Sequence, residues 1–101
     1  MGAPVAQDEE VKVIYRVHAL KRMFERSVTP DEVGAVLTKG ETIANYPDDS
    51  PYPSRLVLGW SGGRPLHVVA AYNAQDNETI VVTVYEPDPA TWDADFRRKK
   101  P

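Results

Sequence analysis

The side chains with the most evident chemistry are basic, and they fall into two clusters. One cluster precedes residue 27 and the other lies at the C-terminus: Lys12, Arg16, Lys21, Arg22 and Arg26, and then Arg97, Arg98, Lys99 and Lys100. Arg22 and Arg26 of the first cluster, together with His18, recur at every fourth residue, which places them on one side of a helix. Guanidinium groups bind phosphate bidentately, and imidazole can donate or accept a proton. The pattern is therefore compatible with a local site for a polyanion, although the same spacing is found on many solvated helices.

The charge balance limits what kind of polyanion-binding protein this is. Lys and Arg number 12, Asp and Glu number 15, and the formal net charge is −3. Asp8, Glu9 and Glu10 account for that excess, so residues 11–101 are neutral overall. A protein that coats DNA with a uniformly basic surface is thereby excluded. We expect an acidic disordered arm at residues 1–10, one domain at 11–98 and a basic tail at 99–101.

Composition excludes several other classes of protein. There is no cysteine, so disulfides, a thiol nucleophile and a Cys-type zinc site are ruled out, and only His18 and His67 could supply imidazole. Asp48 and Asp49 lack a third oxygen ligand at a set spacing, and we expect neither a metal nor a cofactor. No apolar run approaches the ~20 residues of a membrane span, and residues 1–10 do not form a signal peptide. We therefore expect a cytoplasmic protein with no membrane association.

Two helices are predicted before residue 41. In His18–Ser27, Leu20, Met23 and Phe24 have the spacing of one apolar face, while the basic stripe lies on the other side. Thr29 and Glu32 flank Pro30 in a capping-box pattern, and Gly40 ends the second helix.

The remaining pattern is that of antiparallel strands. Val11–Val17 is predicted as a strand or a lead into the first helix, and three prolines in Pro47–Pro53 indicate a loop. Further strands are expected at Thr42–Tyr46, Arg55–Trp60, Leu66–Tyr72 and Thr79–Glu86. We expect Trp92 and Phe96 to fold back onto the sheet. The fold class is α+β, with two N-terminal helices packed on a three- or four-stranded antiparallel sheet.

Turn positions predict the strand register. Gly62-Gly63 as a two-residue turn pairs Leu58 with His67, and a turn at 74–77 pairs Val84 with His67. The face expected to pack against the helices then carries six aliphatic residues together with His67: Leu56, Leu58, Val69, Ile80, Val82 and Val84. The opposite face is mixed and could meet a ligand: Arg55, Val57, Ala70, Tyr72, Thr83 and Tyr85.

Four segments in order resemble an uncharacterised bacterial family that is placed beside the BrnT-type toxins and the RelE/ParE-like toxin superfamily. They are HALKRMFER (18–26), YPDDSPYPS (46–54), GRPLHVV (63–69) and TVYEPDPATWD (83–93). The resemblance covers about residues 13–98. It implies a RelE-like fold, and a ribosome-dependent or free mRNA endonuclease that a cognate antitoxin neutralises.

Such an activity would need a base for the 2′-hydroxyl, cations for the phosphorane and an acid for the 5′-oxygen. The side chains of this chain that could supply these groups come from the helix and the sheet, and they form the expected catalytic set: His18, Arg22, Arg26, Arg55 and Tyr85. His67, Tyr72 and Glu86 are the expected binding residues, and Glu86 could also act as the base.

Each candidate has a plainer interpretation. Arg22 and Arg26 suit a solvated helix face with Glu25 as partner, and His18 suits a helix start bonded to backbone or a carboxylate. His67 suits a buried neutral histidine with one partner, and Tyr72 and Tyr85 suit cross-strand packing.

The alternative function is a non-catalytic binding module that keeps the toxin fold and binds a protein or small ligand. The neutral charge of residues 11–101 favours it, because RelE-type toxins that act on the ribosome are strongly basic. Expected partners are RNA, an antitoxin protein and a second copy, with Arg55–Trp60 and Thr79–Glu86 as candidates for an exposed sheet edge.

Overall fold

A computed structural model describes residues 11–101, and the acidic arm predicted at residues 1–10 lies outside them. Two helices and five strands follow one another along the chain: β1 (Lys12–Tyr15), α1 (Val17–Glu25), α2 (Pro30–Lys39), β2 (Glu41–Tyr46), β3 (Ser54–Ser61), β4 (Arg64–Asn73) and β5 (Glu78–Tyr85). They form one sheet in the order β1-β5-β4-β3-β2, in which only β1 runs parallel to its neighbour. The predicted α+β class is confirmed. The sheet has five strands instead of three or four, because the stretch before α1 adds β1.

The local signals around α2 and the first hairpin are confirmed. Thr29 Oγ1 accepts from the Glu32 amide at 3.1 Å, and the Glu32 carboxylate accepts from the Thr29 amide at 2.9 Å. Gly62 and Gly63 have φ of 57° and 83°, which glycine adopts readily in a two-residue hairpin turn. As predicted, Leu58 then pairs with His67.

The register of β5 against β4 differs from the prediction by one residue. The turn at residues 74–77 is where the sequence indicates it, since Asn73 pairs with Glu78. A β-bulge then breaks the ladder between Val69 and Ala70, so His67 faces Tyr85 and not Val84. Because a bulge inserts one extra residue into a single strand, every pair beyond it is shifted.

The helices cover the opposite sheet face from the predicted one. Ten residues of the helices, the connecting turn and the sheet form the apolar core: Ala19, Met23, Val28, Val33, Val36, Val57, Leu66, Val68, Val81 and Val84. Since side chains alternate along a strand, Leu56, Leu58 and His67 point to the other face. The predicted helix-facing set is therefore wrong except for Val84.

The second face is covered by the chain that follows β5. The Trp92 ring packs edge-on against His67 at 4.5 Å, and Phe96 packs against Trp60 at 5.9 Å. The amide of Lys100 donates to the Thr91 carbonyl, which ties the basic end of the chain into this cover. The prediction that Trp92 and Phe96 return to the sheet is confirmed.

The apolar face predicted for α1 is largely wrong. Ala19 and Met23 are its buried residues, whereas Phe24 is 87% exposed and Leu20 is 47% exposed. The buried pair has the i, i+4 spacing of a helix that contacts the sheet along one narrow line over β5. Periodicity detects an apolar stripe but does not show which part of it another element covers. None of the helices among residues 11–101 has the length and apolar character needed to cross a bilayer.

Candidate functional site

The cationic face of α1, formed by His18, Arg22 and Arg26, is exposed along its length. His18 lies in the first turn, where its Nε2 is 3.1 Å from the Thr83 hydroxyl on β5. Arg22 follows one turn later and Arg26 is the C-cap residue. The helix therefore presents one imidazole and two guanidinium groups on the same side, with the imidazole held against the sheet.

Arg22 is available to an anion even though it has a partner. Its Nη1 lies 3.1 Å from Glu25 Oε1, and both side chains are more than 40% exposed. An exposed ion pair of this kind contributes about 0–1 kcal/mol, so a phosphate can compete with Glu25 for the guanidinium. The side chain of Arg26 makes no hydrogen bond or ion pair within residues 11–101.

The end of α1 is fixed by a polar network that the sequence did not indicate. Arg64 donates to the carbonyls of Arg26 and Ser27 at 2.9 and 3.2 Å, and its Nη2 is 3.4 Å from Glu32 Oε2. Glu32 also accepts from the Ser61 hydroxyl. The Ser61 hydroxyl, the Thr29 amide and Arg64 together lower the pKa of Glu32 to about 2. The network joins α1 and α2 to the β3–β4 hairpin and so holds the cationic face in place.

On the opposite sheet face the buried His67 forms a pair with the half-buried Tyr85. His67 Nε2 is 2.9 Å from the Phe96 carbonyl, and Nδ1 is 3.1 Å from the Tyr85 hydroxyl. A carbonyl can only accept, so Nε2 carries the proton and Tyr85 donates to Nδ1. Burial lowers the pKa of His67, although the Phe96 carbonyl acts in the opposite direction. Burial also raises the pKa of the Tyr85 hydroxyl.

This geometry fits the plainer interpretation of His67, with two partners where one was expected. The ring is fully buried beneath Trp92, and both nitrogens are occupied. Phe96 has a φ of 62°, a backbone conformation that is costly for a bulky residue. The hydrogen bond from His67 to the Phe96 carbonyl and the packing of the Phe96 ring against Trp60 hold it there. His67, which has no exposed surface, therefore anchors the C-terminal cover together with Tyr85.

Arg55 and Tyr72 lie away from the cationic face. Arg55 lies on β3 and donates to the Thr42 hydroxyl of β2 at 3.0 Å. Because β4 lies between β3 and β5, Arg55 is two strand spacings, roughly 10 Å, from the strand that contacts His18. The Tyr72 hydroxyl donates to Asn77 at 2.6 Å beside the β4–β5 turn. No hydrogen bond or ion pair within residues 11–101 joins any two of His18, Arg22, Arg26, Arg55 and Tyr85.

Glu86, the remaining candidate, lies next to the C-terminal end of β5. Thr83 contacts His18, and Glu86 follows the last residue of the strand as an exposed carboxylate. Sequence reasoning missed Thr83 as a partner of His18. The β-bulge in this strand determines where Thr83 lies, and no residue pattern indicated it.

Two clefts elsewhere contain none of the predicted site residues. The larger, of about 350 Å³, lies between the end of α2 and β3 and is lined by Lys39, Glu41, Trp60 and Arg97 among others. Arg97 is paired there with Glu41 at 2.9 Å and with Asp95 at 3.1 Å, so the charges in this cleft offset one another. Among residues 11–101, no three His, Asp or Glu side chains are grouped as metal ligands would be.

Residues 15–86 match a family described as a domain of unknown function, DUF4258. The match spans most of the chain, which therefore belongs to this family. No curated protein and no solved structure matches the chain.

Proposed function

We propose that this DUF4258 protein is a metal-independent endoribonuclease of the RelE/BrnT toxin type, and that RNA binds on the cationic face of α1. The observation that carries the proposal is the exposed row of His18, Arg22 and Arg26, with His18 oriented by Thr83. A stripe of guanidinium groups one turn apart suits consecutive phosphates of a single strand. The resemblance of residues 18–26 to toxin-related segments supports the same function.

The proposed reaction is a transesterification within the RNA. The 2′-oxygen attacks the adjacent phosphorus, the bond from phosphorus to the 5′-oxygen breaks, and a 2′,3′-cyclic phosphate and a 5′-hydroxyl result. Arg22 and Arg26 stabilise the additional negative charge of the phosphorane. His18 donates a proton to the leaving 5′-oxygen, and Glu86 accepts the proton of the 2′-hydroxyl.

Glu86 is assigned the second role because of its place in the strand. It lies three residues beyond Thr83, about 10 Å along extended chain, and its side chain is exposed. Glu86 is therefore the exposed carboxylate that follows most closely in the chain after the strand residue in contact with His18. Tyr85 is not given a catalytic role, since its hydroxyl is committed to His67.

Incubation of the full chain with end-labelled single-stranded RNA in EDTA tests the proposal. We expect 2′,3′-cyclic phosphate ends, no cleavage of DNA of the same sequence, and loss of at least about a hundredfold in rate for His18→Ala. Arg98→Ala, an exposed arginine outside α1, is the matched control and keeps its rate. Intact RNA with wild-type protein, or equal rates for wild type and His18→Ala, would refute the proposal.

A second candidate, a surface for a partner protein, rests on a different part of α1. Val17, Leu20 and Phe24 form an exposed apolar stripe, with Val17 81% and Phe24 87% exposed. Seen down the helix axis this stripe lies apart from the cationic face, so RNA and a protein can bind the same helix. Large apolar side chains grouped on a surface mark interaction sites.

The occupant proposed for the apolar stripe is an antitoxin protein. Co-expression with a small protein encoded beside this one tests it, because the toxin alone should arrest growth of the host. We expect the neighbour to relieve the arrest, and Phe24→Asp to abolish both the relief and co-purification. Lys21→Ala on the same helix is the control that should retain both. Relief and co-purification unchanged in Phe24→Asp would place the partner elsewhere.

A further inference from the structure

The cleft of about 350 Å³ between the end of α2 and β3 lies at a gap in the sheet. The first pair of the β2–β3 ladder is Glu41 with Leu58, whereas β3 continues to Ser61. Beyond Leu58, β3 therefore has no strand on its β2 side within residues 11–101. The prediction that Arg55–Trp60 and Thr79–Glu86 are exposed sheet edges is wrong except at this end of β3, since β1 and β2 flank the sheet.

At this gap the backbone of Trp60 directs one donor and one acceptor away from β4. Ser61 and Arg64 close the two-residue hairpin turn, and such a closing pair exchanges both of its backbone hydrogen bonds. Since bonded and non-bonded pairs alternate, Trp60 forms a non-bonded pair with Pro65, which has no amide hydrogen to donate. Apart from the strand ladders, no hydrogen bond within residues 11–101 involves the Trp60 amide or carbonyl. Both groups are therefore open to a ligand in the cleft.

The cleft has two apolar walls, one from each side of the sheet. Val36 of α2 lies directly over Gly59, where an added Cβ atom would come within 2.7 Å of the valine side chain. The side chain of Trp60, the next residue, projects from the opposite face and is 54% exposed. A flat aromatic group that enters at the strand edge therefore packs between α2 and the indole ring.

Lys39 supplies a positive charge at the same cleft. It is exposed at the end of α2, and it forms no ion pair within the described part of the chain. The other cation that lines the cleft, Arg97, is held by Glu41 and Asp95 at 2.9 and 3.1 Å. The ammonium group of Lys39 is therefore the charge that a phosphate can bind without displacing a carboxylate.

The gap is too short for a peptide strand. The preceding outward position of β3, Leu58, is paired with Glu41, and the chain turns at Gly62 after Ser61. Trp60 is therefore the single outward position that β3 leaves open, whereas strand addition uses a row of such positions. A nucleobase needs only one, because its Watson–Crick edge presents a donor and an acceptor side by side. Its flat ring also suits the cleft, since bases stack on exposed aromatic side chains.

We propose that this cleft binds one nucleotide. The base packs between the Trp60 ring and α2 and bonds the Trp60 amide and carbonyl, and the phosphate lies at the ammonium group of Lys39. None of the lining residues belongs to α1, so the site goes beyond the proposed RNA cleavage and does not depend on it. A free nucleotide and a nucleotide within an RNA strand share this chemistry, and separate titrations distinguish the two sources.

Nuclear magnetic resonance titration of the ¹⁵N-labelled full chain with each ribonucleoside 5′-monophosphate tests the site. We expect the Trp60 amide and indole signals to shift with a dissociation constant of about 1 mM or below. Trp60→Ala should weaken binding at least about tenfold, and Lys39→Ala about three- to tenfold. With nucleosides, which lack the phosphate, Lys39→Ala should have no effect. Lys21→Ala, an exposed lysine of α1, is the matched control and keeps wild-type affinity, and circular dichroism shows that each variant is folded.

A non-cleavable 2′-deoxy oligonucleotide, titrated into the Arg22→Ala/Arg26→Ala chain, separates the two sources. Binding of the monophosphates that depends on Trp60 supports a site for free nucleotides. Binding of the oligonucleotide alone, weakened at least about tenfold by Trp60→Ala, supports a site for one nucleotide of a strand. If neither ligand binds at about 10 mM, or if folded Trp60→Ala binds as wild type, the proposal is overturned. Intact RNA together with binding that depends on Trp60 would refute the proposed cleavage and leave this site standing.

Discussion

His18 and His67 contact residues of β5 that lie two positions apart, Thr83 and Tyr85. His18 is exposed, whereas His67 is buried. His18 meets Thr83 from the solvent-exposed start of α1, whereas His67 meets Tyr85 beneath Trp92 and is fully buried. Both nitrogens of His67 are bonded to protein atoms, so that ring has no capacity left for a ligand. The comparison shows that residue type alone does not identify a catalytic histidine. Burial and the number of occupied nitrogens separate the structural residue, His67, from His18, the residue proposed to act in catalysis.

The largest expected effect is a loss of stability when the buried histidine, His67, is replaced. His67→Ala removes a core ring and leaves the Tyr85 hydroxyl and the Phe96 carbonyl without partners, so we expect a loss of about 3 kcal/mol in the free energy of unfolding. Urea denaturation measures it. His18→Ala, which empties no buried space, should change the same quantity by less than about 0.5 kcal/mol. Equal losses of unfolding free energy in His67→Ala and His18→Ala would contradict the distinction between a structural and an exposed histidine.

The pH dependence of stability provides the next effect. Because burial lowers the pKa of His67, the unfolded chain binds more protons than the folded chain below about pH 6.5, the ordinary pKa of histidine. The free energy of unfolding therefore falls as the pH drops below that value, by at most about 1.4 kcal/mol per pH unit. It levels off at the lower pKa of the folded state. In His67→Gln this part of the slope should disappear, and an unchanged profile would contradict the assignment of His67 as buried and neutral.

A smaller effect is expected on RNA affinity, at the cationic face of α1 that includes His18. Arg22→Ala removes one phosphate contact, so we expect about three- to tenfold weaker binding of a non-cleavable 2′-deoxy oligonucleotide at low salt. The slope of the logarithm of the binding constant against the logarithm of the salt concentration should become shallower by roughly one, the change expected for one phosphate contact. Fluorescence anisotropy of the labelled oligonucleotide measures both quantities. Arg98→Ala should leave both as in wild type, and an equal loss there would show that binding is not confined to α1.

The smallest effect comes from the partner of Arg22. Glu25→Ala frees the guanidinium of an exposed ion pair, so the free energy of unfolding should fall by only about 0.3 kcal/mol. The same change should tighten oligonucleotide binding about twofold, since the phosphate no longer competes with a carboxylate. Weaker binding in Glu25→Ala would mean that the ion pair orients Arg22 for its ligand.

Short-range signals in the sequence predicted local structure correctly. The capping box of Thr29 and Glu32, the Gly62-Gly63 turn and the register of β3 with β4 each depend on residues close together in the chain. The register of β5 was missed because a bulge depends on packing between strands, and no residue type in β5 marks it. The covered face of the sheet was missed for a related reason. Both faces carry aliphatic residues, and the residue pattern does not show which face the helices cover and which face the C-terminal segment covers.

For the candidate site, the sequence predicted the row on α1 and not the surroundings of the sheet residues. Periodicity places His18, Arg22 and Arg26 on one side of a helix whatever the tertiary structure. Whether Arg55 and Tyr85 join them depends on strand order and face, which residue spacing does not encode. The partners of Tyr85 and Arg55, His67 and Thr42, follow only from the assembled sheet.

The most direct test of the account combines activity and stability in the two histidine variants. RNA cleavage in EDTA is measured for wild type, His18→Ala and His67→Gln under conditions in which each is shown by circular dichroism to be folded. We expect His18→Ala to lose at least about a hundredfold in rate with wild-type stability, and His67→Gln to lose stability while its folded fraction keeps its rate. Full activity in His18→Ala, or a folded His67→Gln that no longer cleaves, would contradict the division of roles.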